Sequence, residues 1–365
     1  MKLWMIVFFL LPLVGICYVG WRLWHLLPVA IGWKILALGV LLSGFVGMFF
    51  YLRHGLDALP RWAAVPLYES ISSWPFVLLY LVLLFLCMDL LRAVGFLPRE
   101  WMFLSAKGTL AVAALMIAIF TYGYFHYLHK VRVPLEITTE KGLKRPLKIL
   151  LLSDLHLGYH NRRAEFSRWV DKLNAEKADL ILIAGDMIDG NVRPLLAQGT
   201  AEELQRLNAP TIACLGNHEY ITGIDKALNL LEQTGIRILR DKSISIGDVT
   251  IIGRDDRSNR SRKSVARLMQ GVTRGDYIIL LDHQPFNLAE AEQNGIDLQL
   301  SGHTHRGQVW PLNWVTKKMY ECDYGQWRKG KTDYYVSSGM GIWGGKFRIG
   351  TDSEYAVITV TPNKQ

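Results

Sequence analysis

Six histidines follow residue 129, and five of them lie in polar clusters that each end a short apolar run. Leu150-Leu151-Leu152 leads into Ser153-Asp154-Leu155-His156, and Ile181 to Ala184 leads into Gly185-Asp186-Met187-Ile188-Asp189. Cys214-Leu215 leads into Gly216-Asn217-His218-Glu219, Ile279 to Leu281 into Asp282-His283, and Leu298 to Leu300 into Ser301-Gly302-His303-Thr304-His305. A lone histidine at a strand end is ordinarily a hydrogen-bonded structural residue; five in such clusters form a constellation. Carboxylates and imidazoles without a thiolate suit Mn, Fe, Zn or Mg-type ions rather than a structural zinc. In extended chain, residues i and i+2 face one way. That rule predicts that Asp154 meets His156 and that His303 meets His305. Gly185, Gly216 and Gly302 precede the candidates, where close backbone approach favours glycine.

The elements that must carry these clusters follow from hydropathy. Residues 147–152, 180–184, 211–215, 277–281 and 298–300 read as buried strands, apolar on both faces. Between them 163–176, 201–207, 226–233, 264–269 and 288–293 have helical spacing. Residues 244–246, 249–253, 334–337 and 355–360 read as later strands without helices between. The pattern is α/β, two sheets packed between helical layers, with the candidates at the carboxyl ends of strands, where sites form in such sheets. The expected catalytic domain is 147–365, preceded by a linker over 130–146 that includes one edge strand at 131–137.

The first third is different. Half of all residues are hydrophobic and a fifth charged, and the apolar excess is concentrated before residue 130, where eight Lys/Arg and four acids stand against 33 and 28 beyond. Four apolar stretches, about 3–24, 29–52, 74–91 and 109–128, approach the roughly 20 residues a membrane helix needs, with Trp and Tyr crowding their ends. Residues 1–129 thus read as an all-α transmembrane region of about four helices. A cleaved signal peptide is disfavoured by Pro12 and by the spans that follow. Asp89 and Arg92, three apart near the end of the third stretch, are placed to pair or snorkel. Counting basic residues in flanks favours a cytoplasmic catalytic domain, on a margin carried by Lys141, Lys144, Arg145 and Lys148. The net charge of +9 is shared between both parts, which suits anionic headgroups or phosphates and is too diffuse to argue for nucleic acid. Four cysteines without a CxxC spacing suggest neither a disulfide scaffold nor a thiolate metal site.

The order Asp-x-His, Gly-Asp, Gly-Asn-His-Glu, His, Gly-His-x-His resembles the calcineurin-like metallophosphoesterase superfamily. The phrases at 153–158 (Ser-Asp-Leu-His-Leu-Gly), 253–256 (Gly-Arg-Asp-Asp), 302–308 and 335–341 resemble its bacterial YkuE/YaeI-like branch. The resemblance covers about 147–361 and implies a four-layer α/β/β/α sandwich. It implies two divalent metal ions, manganese foremost, one held by Asp154, His156, Asp186 and His305. The second would be held by Asp186, Asn217, His283 and His303, with Asp186 bridging. Phosphoester hydrolysis by direct attack of a metal-bridging water follows, with His218 protonating the leaving oxygen or stabilising charge on the phosphoryl group. The family's usual Pro-Pro-Glu after the Arg-containing strand is replaced here by Asp352-Ser353-Glu354, following Arg348.

Around this set, Asp189 and Glu219 read as supporting or capping groups. Asp282 either orients a histidine or caps a turn. His160, Arg162 and Arg306 are candidate phosphate contacts, and Gln308 and Trp310 read as part of a strand lining the site. The Gly-rich run 339–345 does not fit a P-loop. The whole chain reads as a multi-pass protein of a bacterial-type inner membrane, partnered by the bilayer and a phosphorylated, lipid-linked substrate, with no obligate protein partner evident. UDP-2,3-diacylglucosamine pyrophosphatase-type activity is one specific form of this reading. A membrane sensor or scaffold with a non-turning-over metal domain is a competitor, and would require a lost ligand that the sequence does not show.

Overall fold

The computed structural model describes residues 3–363, and side chains from Leu10 onward. Lys2, which entered the charge comparison, and the last two residues lie outside that range. The chain divides into two compact units, 1–125 with 344–346, and 126–343 with 347–365.

The first unit is helical: α1 (Leu3–Leu26), α2 (Ile31–His54), α3 (Arg61–Ala93) and most of α4 (Ala106–Leu128). Among the described residues, α2, α3 and α4 are long and apolar enough to cross a membrane, and α1 contributes a shorter apolar stretch, Leu10–Leu26. The expected third span, 74–91, lies within α3, which begins at Arg61 and runs for 33 residues. Average hydropathy hid its first turns because Arg61 and Glu69 dilute them. One face, Ala64, Tyr68 and Ile71, is nevertheless buried, with the Tyr68 ring against Tyr51 of α2 at 5.3 Å. At about 1.5 Å per residue α3 is roughly 50 Å long, well beyond a hydrocarbon core of about 30 Å. The indole N–H of Trp74 donates to the Leu41 carbonyl at 2.9 Å, and its ring lies where a side chain at Gly44 would have to go. The Asp89–Arg92 pairing is corrected. Asp89 accepts from the Tyr18 hydroxyl at 2.5 Å and from Arg22, both on α1, while Arg92 lies over the Phe103 ring.

The second unit holds strands β1 (Lys130–Thr139), β2 (Leu147–Leu152), β3 (Leu180–Ala184), β4 (Thr211–Cys214), β5 (Arg237–Ile238) and β6 (Lys242–Ile246). It continues with β7 (Val249–Gly253), β8 (Tyr277–Leu281), β9 (Leu298–Ser301), β10 (Gly325–Lys329), β11 (Thr332–Val336) and β12 (Ser353–Pro362). They form two six-stranded mixed sheets, ordered β1-β12-β2-β3-β4-β5 and β10-β11-β9-β8-β7-β6. The run expected as a linker with an edge strand is largely β1, which pairs parallel with β12 from Lys130 to Thr139. Pro134 is tolerated there because an edge strand can spare one donor.

Strand alternation builds the layers. Ile149, Leu151, Leu180 and Leu182 of the first sheet share one core with Ile251, Ile279, Leu298 and Leu300 of the second. Leu150, Leu152, Ile181 and Ile183 point the other way, toward Phe166, Trp169 and Val170 of α5 (Arg163–Asn174). Ile278 and Leu280 face outward from the second sheet toward Val265, Leu268 and Ala291. The result is helix, sheet, sheet, helix, as expected. Short helices α6 (Arg193–Gln198), α7 (Thr200–Gln205), α8 (Asn217–Thr222), α9 (Ile224–Leu231), α10 (Val265–Leu268), α11 (Ala289–Gln293) and α12 (Leu312–Met319) complete the unit.

Candidate active site

The polar clusters leave β2, β3, β8 and β9 at their carboxyl ends, and Asn217 and His218 open α8 just beyond β4. The chain is not extended there. Asp154, His156, Asp186, His303 and His305 all have positive φ, between 43° and 72°. That conformation costs a non-glycine residue roughly 1–2 kcal/mol and turns successive side chains inward. The pleat argument is therefore corrected. Asp154 and His156 do share a cluster, but His305 joins them while His303 faces Asp186 and His283.

Two constellations result. In the first, His305 Nε2 is 3.3 Å from Asp154 Oδ1 and 3.1 Å from His156 Nε2. In the second, His283 Nε2 is 3.0 Å from Asp186 Oδ2 and 3.2 Å from Asn217 Oδ1, and the His303 ring is 5.2 Å from that of His283. Asp186 Oδ2 is also 3.7 Å from His156 Nε2, so one carboxylate oxygen borders both.

Hydrogen-bond logic tests whether this set fits metal ions. His156 Nδ1 faces Asp189 Oδ1 at 3.1 Å, and His283 Nδ1 faces the Ala184 carbonyl at 2.7 Å. Both partners only accept, so both Nδ1 atoms carry the proton and the neutral rings turn lone pairs inward. Those lone pairs meet Asp154 Oδ1, Asp186 Oδ2 and Asn217 Oδ1, an array of acceptors facing acceptors in a buried space. Cations resolve it, and the oxygen and imidazole donors fit divalent ions. Without cations a second proton takes their place: although burial opposes it, bonds to Asp154 and Asp189 hold His156 up at about 10. Burial, reinforced by His283, pushes His303 down to about 4.

The surrounding groups fix the donors. Asp189 anchors His156, the carboxylate–histidine arrangement common behind metal ligands. Glu219 is fully buried and accepts from the backbone N–H groups of Asp186, Met187, Ile188 and Gly216, tying the β3 loop to the start of α8. Burial and the nearby Asp186 push its carboxyl up to about 7. Asp282 does neither of the two things expected of it: it pairs with Arg254 and Arg262 at 3.2 and 3.0 Å. Sequence reasoning missed Arg348. Fully buried, it donates to the carbonyls of His305, Ser338, Gly339 and Gly341, clamping the His305 turn to the loop beneath Asp154. Glu354, despite the altered motif before it, accepts from the Tyr324 and Tyr335 hydroxyls, each at 2.8 Å. A side chain at Gly216 would meet Asp186 Oδ1, and one at Gly302 would meet Asp154 Oδ2.

His218 is part-buried at the rim. Its backbone N–H donates to Asp186 Oδ1 at 2.8 Å, its Nδ1 bonds the Asp189 carbonyl, and its ring meets His156 edge-on at 4.4 Å. Arg306 stacks on Tyr324 with its guanidinium 4.4 Å from the ring. His160 is corrected: it is buried, with Nε2 on the Ile342 carbonyl at 2.9 Å, not an exposed loop base. Gln308 and Trp310 are not in a strand. Gln308 is a positive-φ residue closing the turn after His305, and Trp310 leads into α12.

The fold and this site define a domain of the metallophosphoesterase class. Residues 147–307 match the family model described as calcineurin-like phosphoesterase. An uncharacterized metallophosphoesterase of Aquifex aeolicus is 33% identical over 237 residues, 61% of this chain and 89% of that protein. The chain belongs to the calcineurin-like metallophosphoesterase family. An uncharacterized metallophosphoesterase of Campylobacter jejuni is 34% identical, and the match spans 61% of each protein's length. A Danio rerio protein named transmembrane protein with metallophosphoesterase domain is 29% identical over 90% of this chain and 80% of its own.

Proposed function

We propose that this chain is a membrane-anchored dinuclear-metal phosphoesterase that hydrolyses a phosphodiester or pyrophosphate bond of a lipid-linked or nucleotide-lipid substrate. The observation that carries the chemistry is the pair of acceptor clusters bordered by the single oxygen Asp186 Oδ2. Asp154, His156, Asp186 and His305 would hold one divalent ion, and Asp186, Asn217, His283 and His303 the other, with manganese the expected occupant. Bound there, such a pair supplies Lewis acidity to phosphoryl oxygens and lowers the pKa of water.

The chain's own residues supply the rest. Asp189 keeps the His156 proton on Nδ1 and so its Nε2 lone pair inward. His218 donates its Nδ1–H to the Asp189 carbonyl, so in the doubly protonated ring Nε2–H is the group that delivers a proton to the leaving oxygen. Arg306, beside His305 and half-exposed, carries positive charge suited to a substrate phosphate. The apolar helices and the transmembrane relative support anchoring in a bilayer, where phosphoesters borne by lipids are concentrated. Placement in a bacterial-type inner membrane with the catalytic unit in the cytoplasm completes the proposal.

The test uses the full chain in detergent and bis(p-nitrophenyl) phosphate with and without Mn²⁺. Asp186→Asn and His218→Asn should both cripple turnover, and full activity in the two variants would sink the site assignment. Lipid extracts screened by mass spectrometry, with UDP-2,3-diacylglucosamine as the first nucleotide-lipid tried, identify the substrate. Reporter fusions at the C-terminus report the side of the membrane.

A further inference from the structure

Helix α12 has no buried residue. Trp314, Val315 and Met319 are 63%, 52% and 61% exposed, on a small surface where solvent contact gains them nothing. Val315 and Met319 are four apart and Trp314 adjoins Val315, so the three lie in a stripe on one side of the helix, with Lys318 among them and Lys317 at their edge. Trp310 extends that stripe, its ring edge-on to Trp314 at 5.4 Å.

The same helix is fixed to the site. A side chain at Gly307, in the turn that carries His305, would fall on the Leu312 and Asn313 backbone. Thr316 Oγ1 donates to Asp323 at 2.8 Å. Just past the helix, the Tyr320 ring lies 4.8 Å from Phe286 and 6.3 Å from His303.

We propose that α12 is an interfacial helix that docks the catalytic unit on an anionic lipid surface and turns the active-site opening toward the headgroups. Tryptophan with flanking lysines is the composition that settles at the boundary of headgroups and acyl chains, the ring in the apolar layer and the ammonium groups on phosphates. A second protein would be met better by a stripe without charges in its last turn. The proposal rests on the reading that the apolar helices hold the chain in a bilayer, and it specifies how phosphoesters lying in the membrane plane reach the metal ligands without leaving it.

The experiment uses full-length protein with Met319→Cys labelled by an NBD fluorophore in detergent. It is then reconstituted into vesicles of phosphatidylcholine alone or mixed with phosphatidylglycerol. Wild-type protein taken through the same labelling gives the background from Cys17 and Cys87, and Lys242→Cys on β6 is the solvent-exposed reference. The label at 319 should be shielded from aqueous dithionite in the phosphatidylglycerol vesicles, while that at 242 bleaches fast. Lys317→Ala with Lys318→Ala should lower docking about 30-fold, each lysine near an anionic surface being worth about a factor of five. Equal bleaching at the two positions in both lipid mixtures overturns the proposal. So does protection that persists in detergent and grows with protein concentration, which would assign the face to a second copy. The readout needs no turnover, so a failure of the phosphoesterase reading would show separately, as a missing rate on the soluble diester.

Discussion

At Asp189 a single carboxylate decides which nitrogen of His156 faces inward, and its loss should be felt as metal affinity. Asp189→Asn is expected to weaken metal binding about 10–100-fold, the usual cost of losing a partner behind a ligand, measured by titration of the metal-free protein. His218 should behave differently. His218→Asn is expected to lower turnover about 10²–10⁴-fold with both metals retained, so activity and metal content by elemental analysis separate the two roles. Metal binding should also be pH-linked. In the metal-free site His156 is held up at about 10, so near neutral pH it carries an extra proton that a metal must expel. Affinity should therefore rise as pH rises toward that value and fall in acid, with proton release visible by calorimetry in buffers of different ionisation enthalpy.

At the scale of elements, the loops that end the strands do the positioning, and they were only partly legible. The apolar runs before Asp154, Asp186, His283 and His303 announced buried strands, and the polar residues after them announced the site. What could not be read was the hand of the backbone: positive φ at Asp154 and His303 depends on neighbours such as the loop held by Arg348, which lies more than 40 residues downstream. Arg348 itself gave no signal, since an arginine in a mixed stretch looks solvated until its four carbonyl partners are known. Asp282 was ambiguous for the same reason, its arginines being 20 and 28 residues away. Arg348→Ala should cost about 3 kcal/mol or more, because several carbonyls lose a charged donor at once, read as a fall in the denaturant midpoint. Gly302→Ala should leave the fold largely intact, at an overpacking cost of about 1–3 kcal/mol, yet displace Asp154 and reduce bound metal below two ions per chain.

For the molecule as a whole, composition separated an apolar, charge-poor first third from a normally charged remainder. It located the apolar stretch 74–91 but not the first turns of α3, because burial of a narrow face sustains a helix that average hydropathy does not reveal. The pairing of Asp89 with Arg22 and Tyr18 was beyond any local rule, since it joins residues 67 and 71 apart on two helices. Asp89→Ala, which strands the Arg22 guanidinium, should lower the thermal midpoint of the full chain in detergent more than Asp89→Asn, which still accepts from Tyr18. Equal midpoints for wild type and both variants would remove the pair as a determinant of helix packing.

The left-handed backbone at five of the seven proposed ligands has a consequence for how such a chain ages under mutation. Each of these positions would relax if glycine replaced the ligand, so His303→Gly should disable the metal site and yet ease local backbone strain in the metal-free protein. A copy released from the need to catalyse would drift toward glycine or asparagine at these sites first. Asp154, His156, Asp186, His303 and His305 thus keep ligand side chains in a backbone conformation that disfavours them.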